Sequence, residues 1–254
     1  MIGDQLKASM YSIVGDRDSQ QDAAGLEWSD NGLLAVVCDG MGGMQGGDFA
    51  SRTATRIILD AYREQKPLDE GEIPYWMQKQ FDLADRGISD LKDTSGNPLG
   101  AGSTVVAVVA YENHLYWGSV GDSVIYYIKK GQITTVNRMH NYNMKIDEML
   151  KTGELTAENE AMERKRGEAL ISFLGINGLP VLDTNTQPIQ MESGDIILLA
   201  SDGLYKSLDS QQILAIVEES GFNMQIASRR LCEEAYRLAV KKQDNTTVAA
   251  VMYL

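Results

Sequence analysis

One apolar run limits the folds open to this chain more than any other feature. Residues 33–38 (LLAVVC) are continuously apolar and end at Asp39-Gly40. A run of this length, bounded by a turn signal, is typical of a strand that is buried on both faces. The chain has 254 residues, 43% of them hydrophobic, which is enough to build a core around such a strand and excludes a disordered chain.

The remaining patterns predict strands and helices that do not alternate regularly. Helical patterns cover residues 47–65, 73–91, 209–219 and 223–240, and strand patterns cover 104–111, 114–120, 123–129, 132–136, 186–191, 196–200 and 246–253. Short turns separate the four central strands, which predicts an antiparallel meander. We therefore expect an α+β fold, a mostly antiparallel β-sandwich covered by helices, in a single domain over residues 1–254.

The charge and the cysteine count exclude several classes of protein. The formal net charge is -13 and the isoelectric point is about 4.6, so no attraction to nucleic acid or to an anionic membrane is expected. Two Cys and two His residues cannot form the usual Cys/His zinc cluster. No signal-peptide pattern is present, and no apolar run approaches the ~20 residues that span a bilayer. We expect a cytoplasmic protein.

Aspartates stand at the ends of several predicted strands. Each of the four follows or precedes an apolar run: Asp39, Asp122, Asp202 and Asp244. A turn explains any one of them alone, and Asp-Gly pairs are no commoner here than chance gives. Carboxylates that converge repel one another unless a cation lies among them, and oxygen ligands favour Mg²⁺, Mn²⁺ or Ca²⁺. Together the four predict a divalent metal site.

Six short motifs carry a resemblance over nearly the whole chain. They are RDSQQD at 17–22, VVCDGMGG at 36–43 with GGDFAS at 46–51, GST at 102–104, GDS at 121–123, LLASDGLY at 198–205 and DNTTV at 244–248. In order and spacing they resemble the motifs of the metal-dependent protein serine/threonine phosphatases of the PPM, or type 2C, family, in its bacterial form. One such motif is a weak signal, but six in register are a strong one.

The resemblance implies both a fold and a metal site. The fold is a four-layer α-β-β-α sandwich, two antiparallel sheets flanked by helices, with a flap near residues 140–170. Two Mn²⁺ or Mg²⁺ ions, possibly with a third, lie at one end. By position, the resemblance assigns metal binding to Asp22, Asp39, Gly40, Asp122, Asp202 and Asp244.

Each metal ligand has a role by resemblance. Asp39 bridges the two ions, and the Gly40 carbonyl binds one of them. Asp202 and Asp244 bind the other ion, while Asp22 acts mostly through metal-bound water. Asp122 shares a third, weaker ion with Asp202.

The same resemblance implies hydrolysis by water. A water bridging two cations ionises near neutral pH and attacks phosphorus in line, while the cations offset the charge of the phosphoryl group. Asp39, Asp202 and Asp244 are catalytic through the metals. Arg17 clamps two phosphate oxygens with its planar fork; without the downstream aspartates it would be interpreted as a surface ion pair with a neighbouring Asp.

Some positions depart from the family pattern. Met41 stands where a His is common in eukaryotic members, and Met cannot donate a proton to a leaving group. Val124 replaces a common Arg, and residues 172–175 also differ, which affects substrate contacts rather than metal chemistry. His140 opens the flap, where a structural hydrogen bond is the expected role. The basic island 164–166 is interpreted either as a phosphopeptide contact or as a solvated helix face.

The sequence therefore predicts a Mn/Mg-dependent protein serine/threonine phosphatase. Two alternatives stay open: a metal-dependent phosphatase of a small phosphometabolite, and a catalytically silent relative that binds a phosphoprotein. The retained Asp39, Asp202 and Asp244 argue against silence. The expected partners are phosphorylated substrates of a bacterial Ser/Thr kinase, and the chain is expected to be a monomer.

Overall fold

The described part of the chain forms twelve strands and seven α-helices. The computed structural model describes residues 5–29, 32–65 and 70–254. Its strands are β1 (Leu6–Ile13), β2 (Asp22–Ser29), β3 (Gly32–Met41), β4 (Gly102–Ser103), β5 (Val105–Tyr111), β6 (His114–Val120), β7 (Val124–Lys129), β8 (Gln132–Thr135), β9 (Asp183–Thr184), β10 (Ile189–Gln190), β11 (Ile196–Ala200) and β12 (Thr246–Tyr253). Its helices are α1 (Gly43–Gln65), α2 (Ile73–Ser89), α3 (Tyr142–Thr152), α4 (Ala157–Glu163), α5 (Asp202–Tyr205), α6 (Ser210–Glu219) and α7 (Met224–Leu238).

The strands form two antiparallel sheets that pack face to face. One sheet has the order β1-β12-β11-β7-β8, and the other has the order β10-β6-β5-β3-β2, with β4 paired to β3 and β9 paired to β6. Leu33, Val37 and Val106 of the second sheet meet Ile197 and Leu199 of the first in one apolar cluster. This cluster fills the layer between the sheets.

Helices cover both outer faces, which completes four layers. Leu34 and Val36 point away from the inner layer and pack with Ile58 of α1 and Phe81 of α2. On the other sheet, α6 and α7 pack over β11 and β12. Successive side chains of β3 thus face two different apolar layers, and each fully buried Leu or Val contributes about 1.5–3 kcal/mol. The predicted fold class and the doubly buried strand are confirmed.

The predicted meander is wrong at its centre. β5 pairs with β6, and β7 pairs with β8, but β6 and β7 belong to different sheets. The chain crosses between the layers at residues 121–123, where Gly121 has a φ of +101° and a Cβ would lie 2.7 Å from the Thr104 side chain. A hairpin turn and this crossing are equally short, so the turn signal alone did not distinguish them.

Several elements were missed or mispredicted. β1 and β2 were not predicted, because they are partly exposed strands without a continuous apolar run. The predicted strand 186–191 is reduced to the two residues of β10. The four-residue helix α5 was also missed, although it begins at one of the candidate metal ligands.

The predicted excursion at residues 140–170 is confirmed as a helical segment outside the sheets. It contains α3, α4 and a 3-10 turn at Arg164–Arg166. Its two ends are tied together, since the N–H of Ile171 donates to the His140 carbonyl at 2.9 Å and the N–H of Tyr142 donates to the Ala169 carbonyl at 2.8 Å. We call residues 140–170 the flap. Among the described residues, no helix combines the length and apolar character needed to cross a bilayer.

Candidate metal centre

The ends of strands from both sheets bring five aspartates to one end of the sandwich. Asp22 is the first residue of β2 and stands directly opposite Asp39 near the end of β3. Asp202 begins α5 immediately after β11, and Asp244 precedes β12. Asp122 lies in the crossing between the sheets. The crossing at residues 121–123, where the sequence pattern predicts a hairpin turn, therefore places Asp122 near the other aspartates.

An open cleft of about 890 Å³ lies at this end of the molecule. Seven of its lining residues matter here: Arg17, Asp39, Gly40, Asp122, Asp202, Lys206 and Asp244. Every predicted site residue except Asp22 lines the cleft. Asp22 lies behind Asp39 and is 5% exposed.

Asp22 is a buried carboxylate whose charge is only partly compensated. Its Oδ2 accepts a hydrogen bond from the Ser201 hydroxyl at 2.7 Å, while its Oδ1 accepts none from the described residues. Burial raises the pKa of Asp22 to about 7, against the hydrogen bonds from Ser201 and Thr247, which lower it. A positive charge close by would restore its ionised form.

Asp39 and Asp122 show the same pattern. Burial raises the pKa of Asp39 well above its usual range, and Asp22, Asp202 and Asp122 raise it further by repulsion. Burial and then repulsion from Asp202 raise the pKa of Asp122 to about 6. Acids buried this close together are stable only in part as anions, unless cations join them.

Only glycine fits at position 40, beside the bridging candidate Asp39. A Cβ on Gly40 would lie 2.0 Å from the carbonyl oxygen of Gly47 and 2.5 Å from that of Gln21. The adjacent Asp39 is held by its own backbone, since its N–H donates to the Thr104 hydroxyl at 3.0 Å. The hydroxyl of Thr104 in turn shares a hydrogen bond with that of Ser123.

Two basic side chains of the described residues pair with the acids of the cleft. Arg17 donates to Oδ2 of Asp244 at 2.5 Å, and its side chain is 59% exposed. Lys206 donates to Oδ2 of Asp202 from one helical turn further along the chain. Arg17 therefore pairs across 227 positions of sequence rather than with its chain neighbours, and Asp16 instead accepts from the N–H of Gln243.

The donor atoms fit hard divalent cations. Among the described residues, no three His, Cys, Asp or Glu side chains already enclose a metal position. The donor set nevertheless consists of carboxylate and carbonyl oxygens, which Mg²⁺ and Mn²⁺ prefer. Oδ1 of Asp22 and Oδ1 of Asp202 are both buried and accept no hydrogen bond from the described residues. Such unpartnered oxygens support the fit.

His140 lies outside the cleft and is fully buried. Its Nδ1 accepts from the N–H of Gly121 at 3.2 Å, and its Nε2 lies 3.2 Å from the carboxylate of Asp183. Burial lowers the pKa of His140, against the carboxylate, which raises it. The contacts are those of a group that braces the flap against the crossing at residues 121–123.

The basic island of the flap is engaged within the flap itself. Arg164 donates to Asp147 at 2.6 Å and to Glu160 at 2.8 Å. Arg166 donates to Glu163 at 2.6 Å. These contacts favour the solvated helix face over the phosphopeptide contact for the two arginines.

Sequence reasoning missed Lys206, Ser201 and Thr104 as parts of the site. Ser201 and Thr104 stand inside two of the six motifs, but only Ser201 has an aspartate beside it in the sequence, and Thr104 reaches Asp39 across 65 positions. Lys206 follows Asp202 by four residues, which is the spacing of a helical ion pair. This spacing indicates an ion pair only once residues 202–205 are known to be helical.

Comparison with known proteins gives a consistent result. The family model described as protein phosphatase 2C matches residues 12–241. The serine/threonine phosphatase stp of Listeria monocytogenes serotype 4b is 31% identical over 242 residues, which cover 92% of this chain and 90% of that protein. The S. agalactiae serine/threonine phosphatase has a TM-score of 0.84 at 24% identity, covering 98% of this chain and 100% of that one. The catalytic domain of the phosphatase PstP, solved in complex with two manganese ions, has a TM-score of 0.77 at 22% identity, covering 98% of this chain and 99% of that one.

Proposed function

This chain belongs to the protein phosphatase 2C family and is a serine/threonine protein phosphatase, and we propose that it works with two divalent cations held by its strand-end aspartates. One observation carries the proposal. Buried carboxylates with unpartnered oxygens converge on an open cleft. Burial, and then repulsion from the neighbouring aspartates, raises the pKa of Asp39 well above its usual range, and cations among these acids would remove that cost. Mn²⁺ or Mg²⁺ suits the all-oxygen donor set.

We assign the ligands as the family resemblance does. Asp39 would hold both cations, one of them together with the Gly40 carbonyl. Asp202 and Asp244 would hold the other, with Asp22 behind them acting through water. Once bound, the cations would supply a nucleophile from water near neutral pH and offset the charge of the phosphoryl group.

Arg17 is proposed as the phosphate clamp. Its side chain is exposed at the rim of the cleft, where it now pairs with Asp244. With Asp244 engaged as a cation ligand, the Arg17 guanidinium would be free for the substrate. The planar fork of Arg then binds two phosphate oxygens at once, which the point charge of Lys does not.

The leaving group must obtain its proton without Met41. This residue lines the cleft, and its thioether has no proton to give. The serine or threonine oxygen that departs is therefore protonated from another source.

The cleft is open enough to admit a phosphorylated residue that projects from a protein surface.

The proposed partners are phosphoproteins of a bacterial Ser/Thr kinase pathway, in the cytoplasm. The bacterial relative from Listeria supports this setting. Cys38 and Cys232 are both buried free thiols, and burial raises the pKa of Cys38 to about 12. Inert thiols of this kind are typical of a reducing compartment.

A phosphatase assay tests the proposal directly. Phosphate release from a phosphothreonine peptide should require Mn²⁺ or Mg²⁺ and should fall in Asp39→Asn and Asp202→Asn. We expect a loss of roughly a hundredfold or more, the scale on which one preorganised electrostatic group affects kcat. Asp82→Asn, the same change at an exposed position of α2, is the matched control and should keep full activity.

The outcomes separate the alternatives. Equal phosphate release by the native chain and by Asp39→Asn would show that the proposed mechanism is wrong. A strong preference for small phosphate esters over phosphopeptides would favour a phosphatase of small metabolites. Phosphopeptide binding with no metal-dependent release would favour a silent binding protein.

A further inference from the structure

Lys206 occupies a position in the cleft that the proposed mechanism does not use. It immediately follows α5 and donates to Oδ2 of Asp202, four residues earlier. Its side chain is 46% exposed, whereas that of Asp202 is 14% exposed. Lys206 therefore reaches inward from the rim, with its stem along the wall and its ammonium among the acids.

Three acidic groups act on the ammonium of Lys206. Burial lowers its pKa, but Asp202, Asp122 and Glu168 together raise it above the ordinary value, so Lys206 stays charged. The effect is mutual, because the charge of Lys206 lowers the pKa of Asp122 against the effects of burial and Asp202. Asp122 also accepts a hydrogen bond from the Tyr205 hydroxyl at 3.4 Å.

The two oxygens of Asp202 are used differently. Oδ2 is held by Lys206, while Oδ1 is buried and accepts no hydrogen bond from the described residues. An ammonium is a compact charge with three donors on a flexible stem, so it can neutralise two carboxylates without enclosing them. Lys206 thus occupies one oxygen of Asp202 and leaves the other, which is buried, without a hydrogen-bond donor from the described residues.

We propose that Lys206 is a built-in counter-ion of the Asp122–Asp202 pair and stands in place of a third divalent cation, so that this chain binds two metal ions. The inference rests on the proposed two-cation function. It makes Lys206 a positioning residue, which orients Asp202 and sets how many cations the cleft holds. An ion shared by Asp122 and Asp202 would meet the positive charge of Lys206, which already contacts Asp202.

Counting bound metal tests the inference without reference to activity. Mn²⁺ binding is measured by calorimetry and by equilibrium dialysis on the native chain, on Lys206→Met and on Lys206→Arg. The native chain and Lys206→Arg should each bind two ions, and Lys206→Met should bind a third. Lys79→Met, at an exposed position of α2, is the matched control and should bind two.

Asp122→Asn gives the test a second arm that does not depend on the Lys206 variants. In the native background it should leave the count at two, and in the Lys206→Met background it should reduce the count from three to two. Three ions on the native chain, or equal counts with and without Lys206, would overturn the inference and leave the proposed function standing. No Mn²⁺ binding by any variant would overturn both.

Discussion

Two regions of this molecule bring acids and bases together, with opposite results. In the flap, Arg164 and Arg166 are each matched by nearby acids, and all of these charges are in contact with water. At the candidate metal centre, four aspartates of the cleft and the buried Asp22 are matched by Arg17 and Lys206 among the described residues. The residue types are the same, but the balance of charge and the burial differ.

The difference appears in the direction of the pKa shifts. Arg166 and Tyr142 lower the pKa of Glu163 in the flap, so its ionised form is favoured. At the candidate metal centre, burial raises the pKa of Asp22 and of Asp122, so their ionised forms are disfavoured. A matched, exposed cluster stabilises local structure, whereas an unmatched, buried one is prepared to bind cations.

Among the changes that test this comparison, adding Mn²⁺ should have the largest effect on stability. Free Mn²⁺ at a hundred times its Kd would stabilise the fold by about 2.7 kcal/mol for one site. For a chain of this size that raises Tm by roughly 5–10 °C, at about 2–4 °C per kcal/mol. Phosphate affinity should rise together with Tm, because bound cations reverse the local charge.

Differential scanning fluorimetry and phosphate titrations measure both effects. Asp39→Asn should lose the Mn²⁺-dependent rise in Tm, and Asp82→Asn should keep it. Phosphate binding of similar strength in EDTA and in Mn²⁺ would contradict the link between the aspartates and the chemistry.

The next largest effect should be the pH dependence of stability in the metal-free protein, measured in EDTA. The pKa of Asp122 is about 6 in the folded chain, above its ordinary value of about 3.8. The folded state therefore holds the proton more tightly, and stability falls as pH rises from about 4 to about 6. A shift of two pKa units corresponds to roughly 3 kcal/mol as an upper limit. Asp22 extends the same fall to about pH 7.

Asp122→Asn removes one of these acids and should flatten the fall. In EDTA its Tm should be close to that of the native chain near pH 4, where Asp122 is protonated in the folded state and still partly protonated in the unfolded state, and higher by several degrees at pH 7.5. Melting curves across this range, with Asp82→Asn alongside, provide the measurement. A native Tm that rises steadily from pH 5 to pH 7.5 in EDTA would contradict the assigned direction.

The layers and the acid cluster were predictable from local patterns, and the connections between them were not. The run 33–38 indicated a strand buried on both faces because a continuous apolar run of this length, bounded by a turn signal, fits few other elements. The crossing at Gly121 depends on which sheet each neighbouring strand completes, and a short turn carries no such information. β1 and β2 are stabilised by partners distant in sequence rather than by their own apolar patterns.

The site shows the same division. Aspartates at strand ends predicted a cation site because charge repulsion is a local rule applied to converging strands. The approach of Lys206 to Asp122 requires both the crossing and α5, neither of which was predicted. The pairing of Arg17 with Asp244 likewise depends on the folded chain.

The flap should give the smallest effect. Arg166→Gln removes an exposed ion pair with Glu163 and a cation–π contact with Tyr142, whose ring centroid lies 4.6 Å from the guanidinium carbon. Exposed pairs contribute about 0–1 kcal/mol and exposed cation–π contacts about 0.5–1 kcal/mol. We expect Tm to fall by a few degrees at most, with little change in the hydrolysis of a small phosphate ester.

The phosphopeptide assay decides whether the flap is only structural. Lys165 is exposed and adjacent to both arginines, so Lys165→Gln removes the same charge from the island at a position outside the Arg164 and Arg166 ion pairs. If the island is a solvated helix face, kcat/KM for the peptide should be unchanged in Lys165→Gln and nearly unchanged in Arg166→Gln. A loss in both variants, with Tm intact in Lys165→Gln, would mean that the island binds substrate. The flap would then resemble the cleft in function despite its matched charges.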